Sequence, residues 1–345
     1  MRDRKSSEGA PLPYIEELAA LVRRAGMSAR LETLQWIDVK GCRLPIKFVS
    51  MGSDEPAAPA LGLFGGVHGV ERIGSDVVLA YMRTLIEGLT WSPALQELFK
   101  GLHLVIMPMV NPGGLLEGTR CNPNGVDLMR NAPIDARERV AFLAGGQRIS
   151  PSLPWYRGRP DMPMEVEAKA LCRVVEEHLF KRPFSVALDC HSGCGLRDRI
   201  WFPYAYTSSP LPHLADVRSI KKIFSRTYPN HLYYRMEPQS LSYRAHGDLW
   251  DYLYDKALSL GEGDFLPLTL EMGSWEWVRK NPRQLLKGGG ILNPLLPHRH
   301  RRILRRHLLL IDFLLRAVHG HQAWRPVGAQ REALERVGRR RWYGD

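Results

Sequence analysis

Four separated segments hold the residues best suited to chemistry. In GGVHGVERIGS, His68 and Glu71 stand three apart, next to a glycine pair that lets the backbone turn tightly. Imidazole and carboxylate at that spacing can reach one cation, although such a pair taken alone is more often a surface ion pair. A catalytic zinc takes three protein ligands and keeps one position open for water, and two histidines with one glutamate form a known set. The third ligand must then come from far along the chain, and His191 in LDCHSG is the best placed remaining histidine. The loop GTRCNPNGVDLMRNAP gathers Arg120, Asn122, Asp127, Arg130 and Asn131 among glycine and proline. Two guanidiniums fixed there could serve amide hydrolysis, one stabilising the oxyanion on the scissile carbonyl and one gripping a carboxylate in bidentate fashion. The plainer alternative is a solvated loop whose charges pair locally. Glu271 follows the apolar run LPLTL.

These residues need elements to position them. Ala60 to Val67 (ALGLFGGV) is a short apolar run that predicts a buried strand delivering His68. Leu102 to Val110, Phe184 to Cys190 and Leu266 to Leu270 predict three more, the last two ending at His191 and Glu271. Helical periodicity over Gly74 to Ile86 and Pro163 to Leu179 alternates with them, which is the mark of an α/β sheet with crossover helices. Ligands of open α/β sheets sit at the carboxyl ends of strands, so His68, His191 and Glu271 could share one crevice. Pro13 to Ala25 predicts a helix, and Lys40 and Gly41 separate two alternating runs as a hairpin turn would. The stretch from Asn111 to Pro163 has little periodicity, and a loop of that length in a folded domain is usually functional or disordered.

HGVE, then NPGG with TRCNPNGVDLMRN, then DCHSG and finally TLEMG, in that order, resemble the M14 zinc metallocarboxypeptidases. The similarity runs from His68 to Gly273. It implies a single α/β domain with a mixed, mostly parallel twisted sheet and helices on both faces. It implies one zinc ion on His68, Glu71 and His191, with Glu271 as the catalytic glutamate that activates water and passes its proton to the leaving amine. It further implies that Asp127 fixes the ring of the first zinc histidine, that Arg120 polarises the carbonyl, and that Arg130 binds the substrate carboxylate. Asn131 is placed beside Arg130 on the substrate side, and Tyr243 matches a tyrosine that caps the substrate. Where the family carries asparagine just before the carboxylate-binding arginine, this chain has Met129, which cannot donate an amide hydrogen bond. A grip on a free C-terminal carboxylate is therefore expected to be weaker or differently shaped. The alternatives kept beside a peptide substrate are a small N-acyl amino acid, as in the aspartoacylase and succinylglutamate desuccinylase branch, and a cell-wall peptide.

Composition narrows the setting. The 345 residues are 44% hydrophobic, ample for a core, and carry a net charge of +12. Much of that excess falls in HRHRRILRRH and REALERVGRRRW near the end. Leu304, Leu308, Ile311 and Leu315 recur at helical spacing there, so the arginines form the wet face of an amphipathic helix. Nucleic acid is disfavoured as a partner on that reading, as is a non-catalytic binding protein acting through its basic tail. The domain expectation is an N-terminal helical segment over 1–30, a catalytic domain over 31–320 and a basic tail over 321–345. The most apolar late stretch, Leu308 to Val318, is too short for a bilayer that needs roughly 20 apolar residues, so no membrane partner is expected. Neither a phosphate-binding G-x-x-x-x-G-K-S/T loop nor a G-x-S-x-G elbow occurs. Five cysteines, an odd number, argue for reduced thiols. With no secretory-type apolar core near residue 1, a cytoplasmic address is expected. Cys190 and Cys194 flank His191 but lack a second pair at finger spacing, so they are read as small apolar residues.

Overall fold

In the computed structural model, which describes residues 12–344 other than 194 and 287, the chain opens with helix α1 (Pro13–Ala25). Strands β1 (Ala29–Val39) and β2 (Cys42–Gly52) form the expected hairpin. Its turn residues Lys40 and Gly41 both have positive φ, 50° and 81°, the turn that matches the natural twist of a hairpin. Next come β3 (Ala60–Gly65), helices α2 (Arg72–Trp91) and α3 (Pro93–Lys100), β4 (His103–Met107) and the short helix α4 (Pro112–Glu117). Helix α5 (Val166–Val175) continues into a wider turn over Glu176–Phe180 and leads to β5 (Phe184–Gly193) and β6 (Asp198–Phe202). Then α6 (Leu214–Thr227), β7 (Tyr234–Pro238), α7 (Leu249–Leu260) and β8 (Asp264–Gly273) complete the sheet. Helices α8 (Trp275–Lys280), α9 (Pro297–His319), α10 (His321–Trp324) and α11 (Gly328–Trp342) follow.

The eight strands make one sheet in the order β1-β2-β4-β3-β5-β8-β6-β7. Its centre, β4-β3-β5-β8, is parallel, while β1, β2 and the β6–β8 pair are antiparallel. Central parallel strands are covered on both faces and so read as unbroken apolar runs. Every residue of β3 and β4 is accordingly buried. Full burial of a side chain such as Leu63 or Phe64 stabilises the fold by about 1.5–3 kcal/mol. Gly62 and Phe64 turn to the face where Leu179 and Trp250 of α7 pack. The start of α2 lies on the opposite face, against Cys190. The result is the single α/β domain with a mixed, mostly parallel sheet that the resemblance implies.

Parallel pairing puts the carboxyl ends of β3, β5 and β8 at one edge of the sheet. The long stretch after Asn111 lies over that edge, and hydrogen bonds within it order the backbone despite its lack of periodicity. Asp127 N donates to Tyr156 O at 2.8 Å, and Arg157 reaches Arg130 O, Ile134 O and Asp135 at 3.1, 2.9 and 2.6 Å. Residues 321–345, expected as a tail, hold α10 and α11 through Trp342. Helix α11 packs on α6, and Trp342 is buried edge-on against Phe202. No helix among the described residues is long and apolar enough to cross a membrane.

Candidate active site

His68 leaves β3 through Gly66 and Val67, and Glu71 caps the start of α2. Gly74, one turn further, is the residue that permits this placement. A Cβ there would stand 2.1 Å from Cys190 O, so only glycine lets the first turn of α2 lie against the end of β5. That contact brings Glu71 beside His191.

The three side chains meet. Glu71 Oε1 is 2.9 Å from His68 Nδ1, Glu71 Oε2 is 3.1 Å from His191 Nδ1, and the two imidazole Nδ1 atoms are 3.3 Å apart. One ligand atom from each lies within 4.8 Å of the others, and all three residues are buried. Both rings are fixed from behind. His68 Nε2 is 3.0 Å from Asp127 Oδ1 and His191 Nε2 is 2.6 Å from Asp189 Oδ2, which also accepts from Trp250 Nε1 at 2.8 Å. Two imidazole nitrogens and a carboxylate turned inward, each ring tied to an outer carboxylate, are the donor set a zinc ion takes. The residues fit the metal.

Charge in this cluster is strongly coupled. Burial opposes ionisation of Glu71, yet His68 and His191 draw its carboxyl well below the usual range. Burial likewise opposes a charged His191, but Asp189 and Glu71 hold a proton on the ring and its pKa lies well above that of free imidazole. A divalent cation would therefore displace a proton on entering. Asp127, buried, is kept ionised well below the ordinary carboxylate range by Arg120 and His68 against the cost of burial.

Glu271 stands opposite His191 in the β5–β8 register and lines the same cleft of 620 Å³. No hydrogen bond to its carboxylate occurs among the described residues. Gly193 leaves room for it, since a Cβ at that position would come 1.9 Å from Glu271 Oε1. Burial first, and the neighbouring Glu71 second, push its pKa up to about 8.

The arginines also reach the cleft. Arg120 donates from Nε to Asp127 Oδ2 at 2.9 Å and from Nη1 to Glu71 Oε1 at 3.0 Å. Arg130 is buried, with Nη1 on Met129 O at 3.0 Å and, among the described residues, no hydrogen-bond partner for Nε. It lies 5.4 Å from the ring of Tyr243, which lines the cleft edge-on to Trp201 and accepts from Gln239 Nε2 at 3.2 Å. Met129 lines the cleft beside Arg130. Asn131 departs from the expected substrate-facing position. Its Nδ2 donates to Arg157 O at 2.9 Å and its Oδ1 accepts from Glu165 N at 2.6 Å, so both polar ends are used inside the loop and it is not among the cleft-lining residues.

Sequence reasoning missed Asp189, Arg199, Trp201 and Glu237. Asp189 had a signal, because residues two apart on a strand share a face, which puts it under His191. The other three sit on β6 and β7, whose place beside β8 no local pattern reveals. Cys190 is buried, and burial pushes its thiol pKa well above the usual value. Cys194 lies outside the described residues.

A family model described as zinc carboxypeptidase matches residues 40–274, more than half of the chain. Carboxypeptidase SOL1 of Arabidopsis thaliana is 36% identical over 85 residues, 24% of this chain and 17% of that protein. Carboxypeptidase A4 of Mus musculus is 24% identical over 233 residues, 62% of this chain and 51% of that protein. The matches thus span about half or less of these relatives' own length. Thrombin-activatable fibrinolysis inhibitor has a similar fold, with a TM-score of 0.65 at 19% identity over 88% of this chain and 72% of that one. The chain belongs to the zinc carboxypeptidase family.

Proposed function

We propose that this chain hydrolyses an amide bond next to a carboxylate, on a peptide or a small N-acyl amino acid, with one zinc ion on His68, Glu71 and His191. The observation that carries the reading is the meeting of those three donors within 4.8 Å beside Glu271, a carboxylate with no hydrogen bond among the described residues. When bound there, zinc supplies a Lewis acid that lowers the pKa of water toward about 7.

The chain's own residues do the rest. Glu271 accepts the proton of the attacking water and returns it to the leaving amine. Its raised pKa suits that exchange near neutral pH, since a general base works best with a pKa near the operating pH; a nearby cation would draw the value down. Arg120, tethered by Asp127, is aimed at the oxyanion that develops on the carbonyl, an interaction that contributes about 2.7–4 kcal/mol per donor. Arg130, its Nε unpaired in a buried setting, takes the substrate carboxylate, and Tyr243 closes over it. Met129 supplies no donor there, so this guanidinium carries the grip without an amide beside it. The free thiols of Cys42, Cys121, Cys172 and Cys190 support a reducing, cytoplasmic setting as part of the same reading.

Glu271→Gln is expected to keep zinc, measured by metal analysis, and to lose most turnover; full activity in that variant removes the proposed base. Arg130→Ala is expected to raise KM for peptides with a free carboxylate far more than for amidated ones. Equal effects on both substrates would end the clamp.

A further inference from the structure

The chemistry above leaves two cleft-lining guanidiniums, those of Arg199 and Arg235, without a task. Arg199 stands on β6 opposite Glu271 in the β6–β8 register, and both line the cleft. Its Nε donates to Glu237 Oε1 at 3.1 Å. Glu237 is 3% exposed and also takes Ser242 Oγ at 3.3 Å and the guanidinium of Arg235. One buried carboxylate is therefore shared by two arginines, and the trio carries an uncancelled positive charge on the cleft wall. Among the described residues nothing accepts a hydrogen bond from the Nη atoms of Arg199. Nη1 lies over Gly195, where an added Cβ would come within 2.8 Å of it, so the backbone leaves room for the fork.

A guanidinium anchored at Nε, with its two terminal amino groups open to a cleft, presents the parallel N–H pair that a carboxylate binds in bidentate fashion. Held by a buried partner, it loses little side-chain entropy on binding. Arg130 is a separate site on the same cleft: Tyr243 stacks on it and meets Trp201, which is two residues from Arg199 and shares its face of β6. Arg130 and Arg199 thus stand on the same cleft as separate guanidinium forks, with Tyr243 and Trp201 in contact alongside them.

We propose that Arg199 determines specificity by taking a second carboxylate of the substrate, so that the preferred substrates carry an acidic side chain on one of the two residues flanking the scissile bond. This rests on reading the cleft as the amide-hydrolysing site. Glu237 and Arg235 act through Arg199 as positioning residues.

Binding and turnover test the two readings separately. Zinc-loaded Glu271→Gln protein is titrated calorimetrically with peptide pairs that differ only in Glu against Gln at each flanking position. A charge-assisted hydrogen-bonded pair predicts at least about tenfold tighter binding of the Glu member in one pair. Arg199→Gln in the same background should bring that ratio close to unity. It should leave the discrimination between free and amidated C-termini in place, and Glu237→Gln should reduce the Glu preference in part. Absence of a Glu preference in every pair, or the same preference after Arg199→Gln, overturns the proposal. The ratio of kcat/KM for Glu over Gln in the unmodified protein gives the second readout. Turnover without acidic preference counts against Arg199 alone, whereas acidic preference in binding with no turnover of any peptide counts against the hydrolytic reading alone.

Discussion

His191 touches two carboxylates that do different work. Glu71 shares the cation-facing side of the ring, while Asp189 at 2.6 Å orients it from behind and sets which nitrogen faces the cation. An outer partner of this kind commonly controls metal affinity by 10–100-fold. Asp189→Asn keeps the size of the side chain but removes its charge, so zinc affinity is expected to fall by about 10-fold or more, measured by competition with a chelator. Unchanged affinity would reduce Asp189 to a partner of Trp250. His68 and His191 of the three-residue cluster were legible in the sequence because each follows an apolar run that must end at a sheet edge, and Glu71 through its spacing from His68. Asp127 and the arginines were legible through the resemblance. Asn131 shows the limit of that route: adjacency to Arg130 suggests a shared surface, but the tight turn at Leu128–Arg130 directs the next side chain back into the loop.

Among the elements, the strands that carry His68, His191 and Glu271 were readable because burial on both faces makes them continuous apolar runs. Strands β6 and β7 were not, since DRIWF and YRMEP alternate charged cleft-facing residues with apolar ones over only five positions each. Their pairing is long-range, and composition alone does not specify it. Helix α11 shows the converse, a strongly basic run whose charge conceals an anchor. Trp342 packs against Phe202 at 4.9 Å, sits under Arg218 and donates from Nε1 to Met236 O at 3.1 Å. It thereby ties the last helix to β6 and β7, which form one wall of the cleft. Removing a buried tryptophan of this size costs about 3–5 kcal/mol. Trp342→Ala is expected to lower the urea midpoint accordingly while zinc content in the folded protein stays the same. A midpoint within error of the parent would show that α11 is only loosely attached.

For the molecule as a whole, histidines that the fold keeps neutral lower stability in mild acid. His307 is fully buried, with Tyr234 Oη 2.9 Å from its Nδ1, and burial pushes its pKa down to about 4 even though Asp198 pulls the other way. His103, between Ser53 O and His178, is lowered to about 4 by burial and by Arg182. Above pH 6.5 each is neutral in both the folded and unfolded chain, so neither contributes to the pH dependence. Between 6.5 and 4 the unfolded chain takes up a proton at each site and the folded chain does not. Stability must then fall with pH across that window and level off below it. A tenfold difference in proton affinity between the two states amounts to about 1.4 kcal/mol, so each histidine costs on the order of 3 kcal/mol by pH 4. Urea midpoints from pH 7 to 4, taken on metal-free protein where loss of zinc adds nothing, should therefore carry this downward contribution on acidification. His103→Gln combined with His307→Gln should flatten the slope, because glutamine keeps a polar partner at each site but takes no proton. Glu271, whose pKa raised to about 8 by burial acts in the opposite direction over this range, is common to both proteins and cancels in the comparison, as does His191, whose raised pKa acts only above pH 6.5. Equal slopes in parent and variant would mean that the buried rings already carry protons in the folded state, and that the acidic groups near them, Asp198 beside His307 above all, outweigh burial.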